Sequence, residues 1–144
     1  MVTDTSEKNL ESILVNYLRD VQGYEEGISE NYNKDYAFDT ERVKRFILST
    51  QEKKVENTAC FASEVSERKF FAELNKQLAS RGITDVLRKG FRYISELFDM
   101  YYPLPSELNP TAQEMYAKNI FCVTRQLFYS KDNSNSIDVM VSLN

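Results

Sequence analysis

The sequence predicts a single α+β domain over residues 1–144, in which a helical first two-thirds is followed by an antiparallel β-hairpin. Apolar residues recur at helical spacing as far as about Lys118, and two segments rich in β-branched and aromatic residues follow. The composition is typical of a globular domain, with 42% hydrophobic, 12% aromatic and 28% charged residues. A sequence of 144 residues can bury roughly two-thirds of its unfolded surface, which is enough for a hydrophobic core.

The first helix is predicted between a cap at Thr5 or Ser6 and about Asp20, and Gly23 is placed to end it. The residues expected to face the core lie at helical spacing: Leu10, Ile13, Leu14, Tyr17, Leu18 and Val21. The segment 23–38 is rich in Tyr, Asn and Glu and is expected to form a long surface loop, stabilised by aromatic packing.

Three more helices are predicted in the middle of the chain. One begins at Asp39 or Thr40, one runs from Ser66 to Ser80, and a short one stops at Gly90. The first is marked by the apolar residues Val43, Phe46 and Ile47, and the third by Ile83, Val86 and Leu87. In the second, Phe70, Phe71, Leu74 and Leu78 are expected to face inward.

The segment Phe91–Pro105 fits both a helical and a two-faced strand pattern, so periodicity does not decide its structure. Its aromatic content and Pro103 favour a strand that ends at the proline. Asn109 is then expected to cap a helix whose first residue is Pro110. The final segments, NIFCVTRQLFYS and SIDVMVSLN, flank the polar loop KDNSN and predict the hairpin.

The residue counts exclude several kinds of active site. The chain has no His, so it cannot by itself build a Ser–His–Asp triad, a His general base or a His-containing zinc site. With only Cys60 and Cys122, a Cys-rich zinc site is excluded too, and both are expected to be free thiols. Catalysis would therefore depend on carboxylates, Lys, Tyr or Ser.

Bulk properties favour a cytoplasmic protein. The opening MVTDTSEKNLES has no apolar signal-peptide core, and no apolar run approaches the roughly 20 residues of a membrane helix. The net charge of −4 gives no support for a strongly nucleic-acid-binding module. Local basic patches could still contact phosphates, because such contacts do not depend on the overall charge.

Asp138 is the residue of the predicted hairpin that needs an explanation. Aspartate is depleted in strands, yet it stands between Ile137 and Val139, on the same face as Met140. One interpretation is a strand-start Asp that bonds back to the loop beside Ser134 and Ser136. The other is a carboxylate held on a rigid strand to bind a divalent metal such as Mg²⁺.

The segment VTRQLFYSKDNSNSIDVMVSLN, from Val123 to Asn144, resembles the N-terminal region of the R (restriction) subunit of type I restriction enzymes. Upstream segments resemble the same family in the same order, so that the resemblance covers about Leu10 to Asn144. These segments are LESILVNYLRDVQGYEEG, YAFDTERVKRFILSTQ, LASRGITDVLRKGF and LNPTAQEMYAKNIFCVTRQLFYS.

This resemblance implies a restriction-endonuclease-like domain of the PD-(D/E)xK type, a Mg²⁺-dependent DNA hydrolase. It makes Asp138 the metal-binding and catalytic Asp and Glu11 a second, supporting acidic candidate; otherwise Glu11 is a solvated residue of the outer helix face. In the family, ATP is bound by motor domains that this sequence lacks, and modification and specificity subunits complete the enzyme.

The sequence departs from the family pattern at Asn144, where the family continues into a strand carrying E-x-K. The two matches to this motif within the sequence, Glu52–Lys54 and Glu67–Lys69, precede Asp138 in polar segments and are expected to be chance matches. The sequence is therefore expected to represent an incomplete nuclease core that does not cleave DNA alone. A single Asp is a poor Mg²⁺ site, because Mg²⁺ usually needs further anionic groups.

Several basic residues are candidate DNA contacts. Arg125 shares a strand face with Val123 and Leu127, so it either pairs with a carboxylate in the sheet or contacts a phosphate. Arg88, Lys89 and Arg92, together with Arg81, form the clearest basic cluster, which is either a solvated face or a DNA-binding surface.

Two functions remain open from the sequence. One is a nuclease-domain part of a type I restriction subunit. The other is a non-catalytic helical module that binds DNA or a protein, in which Asp138 is structural. In either case the exposed edge of the last strand is expected to favour self-association.

Overall fold

The computed structural model describes residues 7–128, 131–132 and 136–144, and this part of the chain is mixed α+β, as predicted. Contacts divide it into two compact units. The first contains the described residues of Met1–Asp39 and Ile120–Leu143, and the second contains Thr40–Asn119 together with Asn144.

The first unit is built on a three-stranded sheet with the strand order β1-β6-β7, and helix α1 packs against it. Strand β1 is parallel to β6, whereas β6 and β7 form the predicted antiparallel hairpin. The bounds are Glu7–Asp20 for α1, Glu25–Gly27 for β1, Phe121–Phe128 for β6 and Ser136–Leu143 for β7. The predicted caps of α1, Thr5 and Ser6, lie outside the described residues.

The prediction of a long surface loop over 23–38 is wrong in part. The segment supplies β1, a 3-10 turn at Ser29–Asn31, and a small antiparallel pair of β2 (Tyr32–Asn33) with β3 (Phe38–Asp39). Strand β1 has the sequence Glu-Glu-Gly, which carries no alternating pattern. Its conformation comes from pairing with β6, where Glu25 lies opposite Cys122, and no local signal could have indicated this.

The predicted core face of α1 is also wrong. Leu10, Ile13, Leu14, Tyr17 and Val21 are all exposed large hydrophobic residues. The helix instead rests on the sheet through an adjacent face, on which Val15 is fully buried and Glu11 lies one turn before it. This face also carries a polar contact that periodicity does not detect, the pairing of Glu11 with Arg125 of β6.

The second unit contains five helices and one short hairpin among its described residues, and the predicted helices are confirmed. Asn109 caps the last helix by accepting a hydrogen bond from the Ala112 N–H at 3.0 Å, as its sequence predicts. The elements are α2 (Thr40–Thr50), α3 (Glu52–Thr58), α4 (Glu64–Arg81), α5 (Ile83–Lys89), β4 (Phe91–Tyr93), β5 (Glu96–Phe98) and α6 (Pro110–Ala117). Their buried residues include Val43, Phe46, Ile47, Phe70, Phe71, Leu74, Val86, Phe91 and Phe98.

The single strand favoured up to Pro103 is instead a hairpin that ends at Phe98. A two-residue turn, Ile94–Ser95, reverses the chain, and Ile94 adopts a left-handed φ of +55°. Phe91 and Phe98 lie opposite each other and are buried. Because aromatic residues fall on both strands of the hairpin, the segment fits a helical pattern as well as a two-faced strand pattern.

Gly27 is expected to be essential for the pairing of β1 with β6. A Cβ at this position would lie 2.3 Å from Thr124 Oγ1 and 2.7 Å from Cys122 Sγ, both of which are buried. Because short buried side chains cannot move away, Gly27→Ala should lower the free energy of unfolding by about 2–3 kcal/mol. Urea denaturation followed by circular dichroism measures this change.

Gly23→Ala is the matched control. Gly23 has a φ of +73° but nothing within 4 Å of an added Cβ, so the variant should lose only about 1 kcal/mol to backbone strain. A Gly27→Ala protein no less stable than Gly23→Ala would contradict the close packing of β1 on β6.

Candidate functional site

The polar cluster of the first unit joins α1 to the β6–β7 hairpin. Glu11 accepts a hydrogen bond from Arg125 Nε at 3.0 Å, and Arg125 also donates to Ser12 Oγ at 2.9 Å. The Glu11 side chain is only 8% exposed. Glu11 is therefore not the solvated surface residue that the alternative interpretation required, and Arg125 neutralises it.

Gln126 connects the two acidic candidates. Its Nε2 donates to Glu11 Oε2 at 2.9 Å and makes a longer contact of 3.4 Å with Asp138 Oδ1. In a regular strand, Arg125 and Gln126 would point to opposite faces of the sheet. Gln126 has a left-handed φ of +48°, which interrupts the alternation and lets both neighbours reach the same carboxylate.

Asp138 lies on β7, opposite Gln126 along the hairpin, and its side chain is exposed. Among the described side chains, its carboxylate contacts that of Gln126 at 3.4 Å, and the residue is otherwise exposed. The alternative that Asp138 bonds back to the loop beside Ser134 and Ser136 falls on side chains outside the described residues. The accessible carboxylate of Asp138 and the nearly buried one of Glu11 thus contact the same Gln126 nitrogen.

The two carboxylates differ in their capacity to hold a divalent cation. Asp138 fits as one oxygen ligand of Mg²⁺, because it is accessible and has no cationic partner in the described part of the chain. Glu11 does not fit as a direct ligand, because Arg125 and Gln126 already occupy both of its oxygens. No group of three or more acidic or Cys side chains that could hold a metal occurs among the described residues.

The two E-x-K matches of the sequence lie in helices. Glu52–Lys54 begins α3 and Glu67–Lys69 belongs to the first half of α4. Residues two apart on a helix do not share a face, so neither match can present Glu and Lys side by side as a strand does. Lys54 instead pairs with Asp99, and Glu67 with Lys44 at 3.1 Å.

The basic candidates of the second unit divide into two groups. Arg81 is structural, because it donates to Asp85 Oδ2 at 2.8 Å and to the Gly90 carbonyl at 3.0 Å. Its hydrogen bond, followed by that of Lys89, lowers the pKa of Asp85 below its ordinary value. Arg88 and Arg92 are exposed and have no ion pair among the described residues, whereas Lys89 shares Asp85 with Arg81.

Both cysteines are free and buried, one in each unit. Burial raises the pKa of the Cys60 thiol, so little of it is thiolate near neutral pH. The Cys60 thiol is therefore a poor nucleophile in the folded protein. Within the described ranges, no helix has the length and apolar character needed to cross a membrane.

The sequence did not predict the parts played by Ser12 and Gln126. Ser12 follows Glu11 on the helix and carries no signal of its own. Gln126 belongs to a segment that reads as an ordinary strand, and its left-handed backbone has no sequence signature, because glutamine does not favour that conformation. Comparisons with protein-family models, curated proteins and solved structures find no match to this chain.

Proposed function

We propose that the chain is the N-terminal part of the endonuclease domain of a type I restriction enzyme R subunit. The proposal rests on the ordered resemblance from Leu10 to Asn144. The observation that carries it is the accessible Asp138 carboxylate, joined through the Gln126 amide to Glu11 of the first helix. In the complete enzyme this domain would make Mg²⁺-dependent cuts in DNA, with ATP-driven translocation by other domains and with modification and specificity subunits as partners.

The proposal gives each residue of the cluster a different task. Asp138 would be the metal ligand, and Mg²⁺ bound there would polarise the scissile phosphate and lower the pKa of a water. Gln126 orients the Asp138 carboxylate through its amide. Glu11 acts as a positioning residue, because Arg125 fixes it against the hairpin at 3.0 Å.

A second candidate function is a non-catalytic module that binds DNA or a protein. The ion pair between Glu11 and Arg125 favours it, since that pair stabilises the packing of α1 without any metal. Strand β7 lies at an edge of the sheet, where the described residues supply no further strand. Pairing of this edge with a second copy stays a prediction of both functions.

Metal binding at Asp138 separates the two functions. Substoichiometric Mn²⁺ should broaden the NMR amide signals of Asp138, Gln126 and Glu11, because paramagnetic broadening falls steeply with distance from the ion. The affinity should be weak, with a Kd on the order of 1 mM, since one carboxylate supplies little charge. Asp138→Asn should abolish the broadening, because it removes the charge that attracts the ion.

Asp20→Asn is the matched control in the same unit. Asp20 is also exposed, but it pairs with Arg19 at 2.9 Å and lies at the end of α1. This variant should retain the broadening around Asp138. Equal broadening in the Asp138→Asn protein would refute the metal site and leave the non-catalytic module as the better interpretation.

A further inference from the structure

The tip of the β4–β5 hairpin combines backbone strain with an exposed apolar side chain. Ile94 is 68% exposed and adopts a φ of +55°, a conformation that β-branched residues rarely occupy. Neither feature helps the fold, since the side chain buries little surface and Asn or Gly would fit the turn better. Strain kept at an exposed position indicates a role in contacting something else.

The outer face of the ribbon behind this tip carries one exposed cation, Arg92, with no ion pair among the described residues. Arg92 and Leu97 lie opposite each other on the outer face of the ribbon, and both are exposed. Of the neighbouring acids, Asp85 is paired with Arg81 and Lys89, and Asp99 with Lys54. Glu96 keeps its charge and accepts a hydrogen bond from the Asn57 amide at 3.1 Å. Glu96 pairs with Tyr93 and so belongs to the opposite face of the ribbon from Arg92.

We propose that the β4–β5 hairpin is a DNA-bending wedge, in which Ile94 inserts between base pairs from the minor groove while Arg92 contacts a flanking phosphate. Ile is one of the side chains that proteins insert in this way, and a base step is an apolar slot whose borders are anionic. That combination matches an apolar tip with a cation behind it better than it matches the surface of an average protein partner.

The dimensions of the ribbon agree with this binding mode. Arg92 lies two residues behind Ile94, which corresponds to roughly 7 Å along a strand. The minor groove is about 7.5 Å deep, so a tip inserted at its floor brings Arg92 to the level of the phosphates at its edge. Arg88 and Lys89 lie in the last turn of α5, directly before the ribbon in the chain.

The inference rests on DNA as the ligand of the proposed function, but it concerns only the second unit. The test uses the whole chain, a duplex of about 20 base pairs with a central TA step, and donor and acceptor dyes at its two ends. Fluorescence anisotropy measures affinity, and energy transfer between the dyes measures bending. Ile94→Asn removes the wedge and relieves the left-handed strain together.

Ile94→Asn is expected to stabilise the protein but to weaken its binding to DNA. Ile94→Asn should raise Tm by about 3 °C, because asparagine tolerates the left-handed region. It should weaken duplex binding roughly tenfold and abolish the bend, because the unstacked step loses its wedge. Arg92→Gln should reduce the slope of log K against log salt by about 0.9, corresponding to one phosphate contact.

Ile83→Asn is the matched control, because Ile83 is 67% exposed in the same unit but begins α5 away from the hairpin. It should bind and bend DNA as the parent does. The inference is overturned if Ile94→Asn binds and bends DNA like the parent, which would point to a protein partner at the tip. It is also overturned if Ile83→Asn shows the same loss, or if the parent does not bend the duplex.

Failure of the proposed function has a separate readout. If the nuclease function is wrong, Mn²⁺ will not broaden the signals around Asp138 in the first unit, while Ile94→Asn will still weaken DNA binding and abolish the bend. Loss of the wedge would appear as unchanged DNA binding by Ile94→Asn, with Mn²⁺ broadening intact.

Discussion

Phe70→Ala is expected to lower the free energy of unfolding of the second unit by about 4–5 kcal/mol, the largest loss for any single truncation in it. Phe70 is fully buried, and its ring lies within 5.5 Å, centroid to centroid, of Phe61, Phe71, Phe91, Tyr93 and Phe98. The cost combines a cavity of nearly a whole ring with the loss of edge-to-face contacts worth about 0.5–1.5 kcal/mol each. Such a loss is a large part of the roughly 5–15 kcal/mol that stabilises an ordinary domain.

Phe61→Ala is the companion variant, since Phe61 belongs to the same cluster but is only half-buried. We expect a loss of about 2 kcal/mol, because solvent can fill part of the space that its ring leaves. Urea denaturation followed by far-ultraviolet circular dichroism measures both, and the chain has no Trp to report on the core by fluorescence. Equal losses from the two variants would show that Phe70 is not the centre of this core.

Arg125→Met is expected to destabilise the first unit by about 2 kcal/mol. The substitution keeps the aliphatic stem but leaves Glu11, whose carboxylate is almost fully buried, without its cation. The estimate stays below the 3–5 kcal/mol typical of a buried pair, because the Arg125 side chain is itself about one-third exposed. The double variant Glu11→Leu with Arg125→Met should recover most of the loss, since no unpaired charge then remains.

Arg19→Met is the control that separates the effect of burial from that of losing an ion pair. Arg19 belongs to the same unit and pairs with Asp20 and Glu26 at 2.9 Å, but all three side chains are exposed. This variant should unfold at the same urea concentration as the parent. If Arg125→Met were equally silent, or if the double variant were less stable than Arg125→Met alone, the ion pair would not hold α1 on the sheet.

The elements that the sequence predicted well are those with strong local signals. Asn109 followed by Pro110 marks the start of α6, and two segments rich in β-branched and aromatic residues on either side of a polar loop predict the hairpin of β6 and β7. The buried face of α2 followed directly from helical spacing. In each case the residues that carry the signal are close together in the chain, so periodicity and capping rules apply.

The failures share a different physical origin. The face of α1 that meets the sheet includes Glu11, whose partner Arg125 is 114 residues away, whereas the apolar stripe of the helix predicted a different face. Strand β1 exists only because β6 offers it a partner. The left-handed backbones of Gln126 and Ile94 oppose residue preference, so a propensity argument predicts against them.

For the candidate site, the sequence named Asp138, Glu11 and Arg125, and all three lie in one cluster. The sequence left open whether Arg125 pairs with a carboxylate or contacts a phosphate. In the structure, Arg125 pairs with the Glu11 carboxylate. The sequence could not indicate that Glu11 is committed to Arg125 and Gln126 while Asp138 stays accessible, because that difference depends on burial.

The placement of the two cysteines gives each unit its own chemical reporter. Cys60 and Cys122 are each about 1% exposed, and they belong to different units. A thiol reagent can reach either sulfur only when the surrounding structure opens, so the alkylation rate of each cysteine measures the opening of one unit. Mass spectrometry of the two alkylated peptides can therefore measure the opening rate of each unit separately, and no cysteine or dye has to be introduced into the protein.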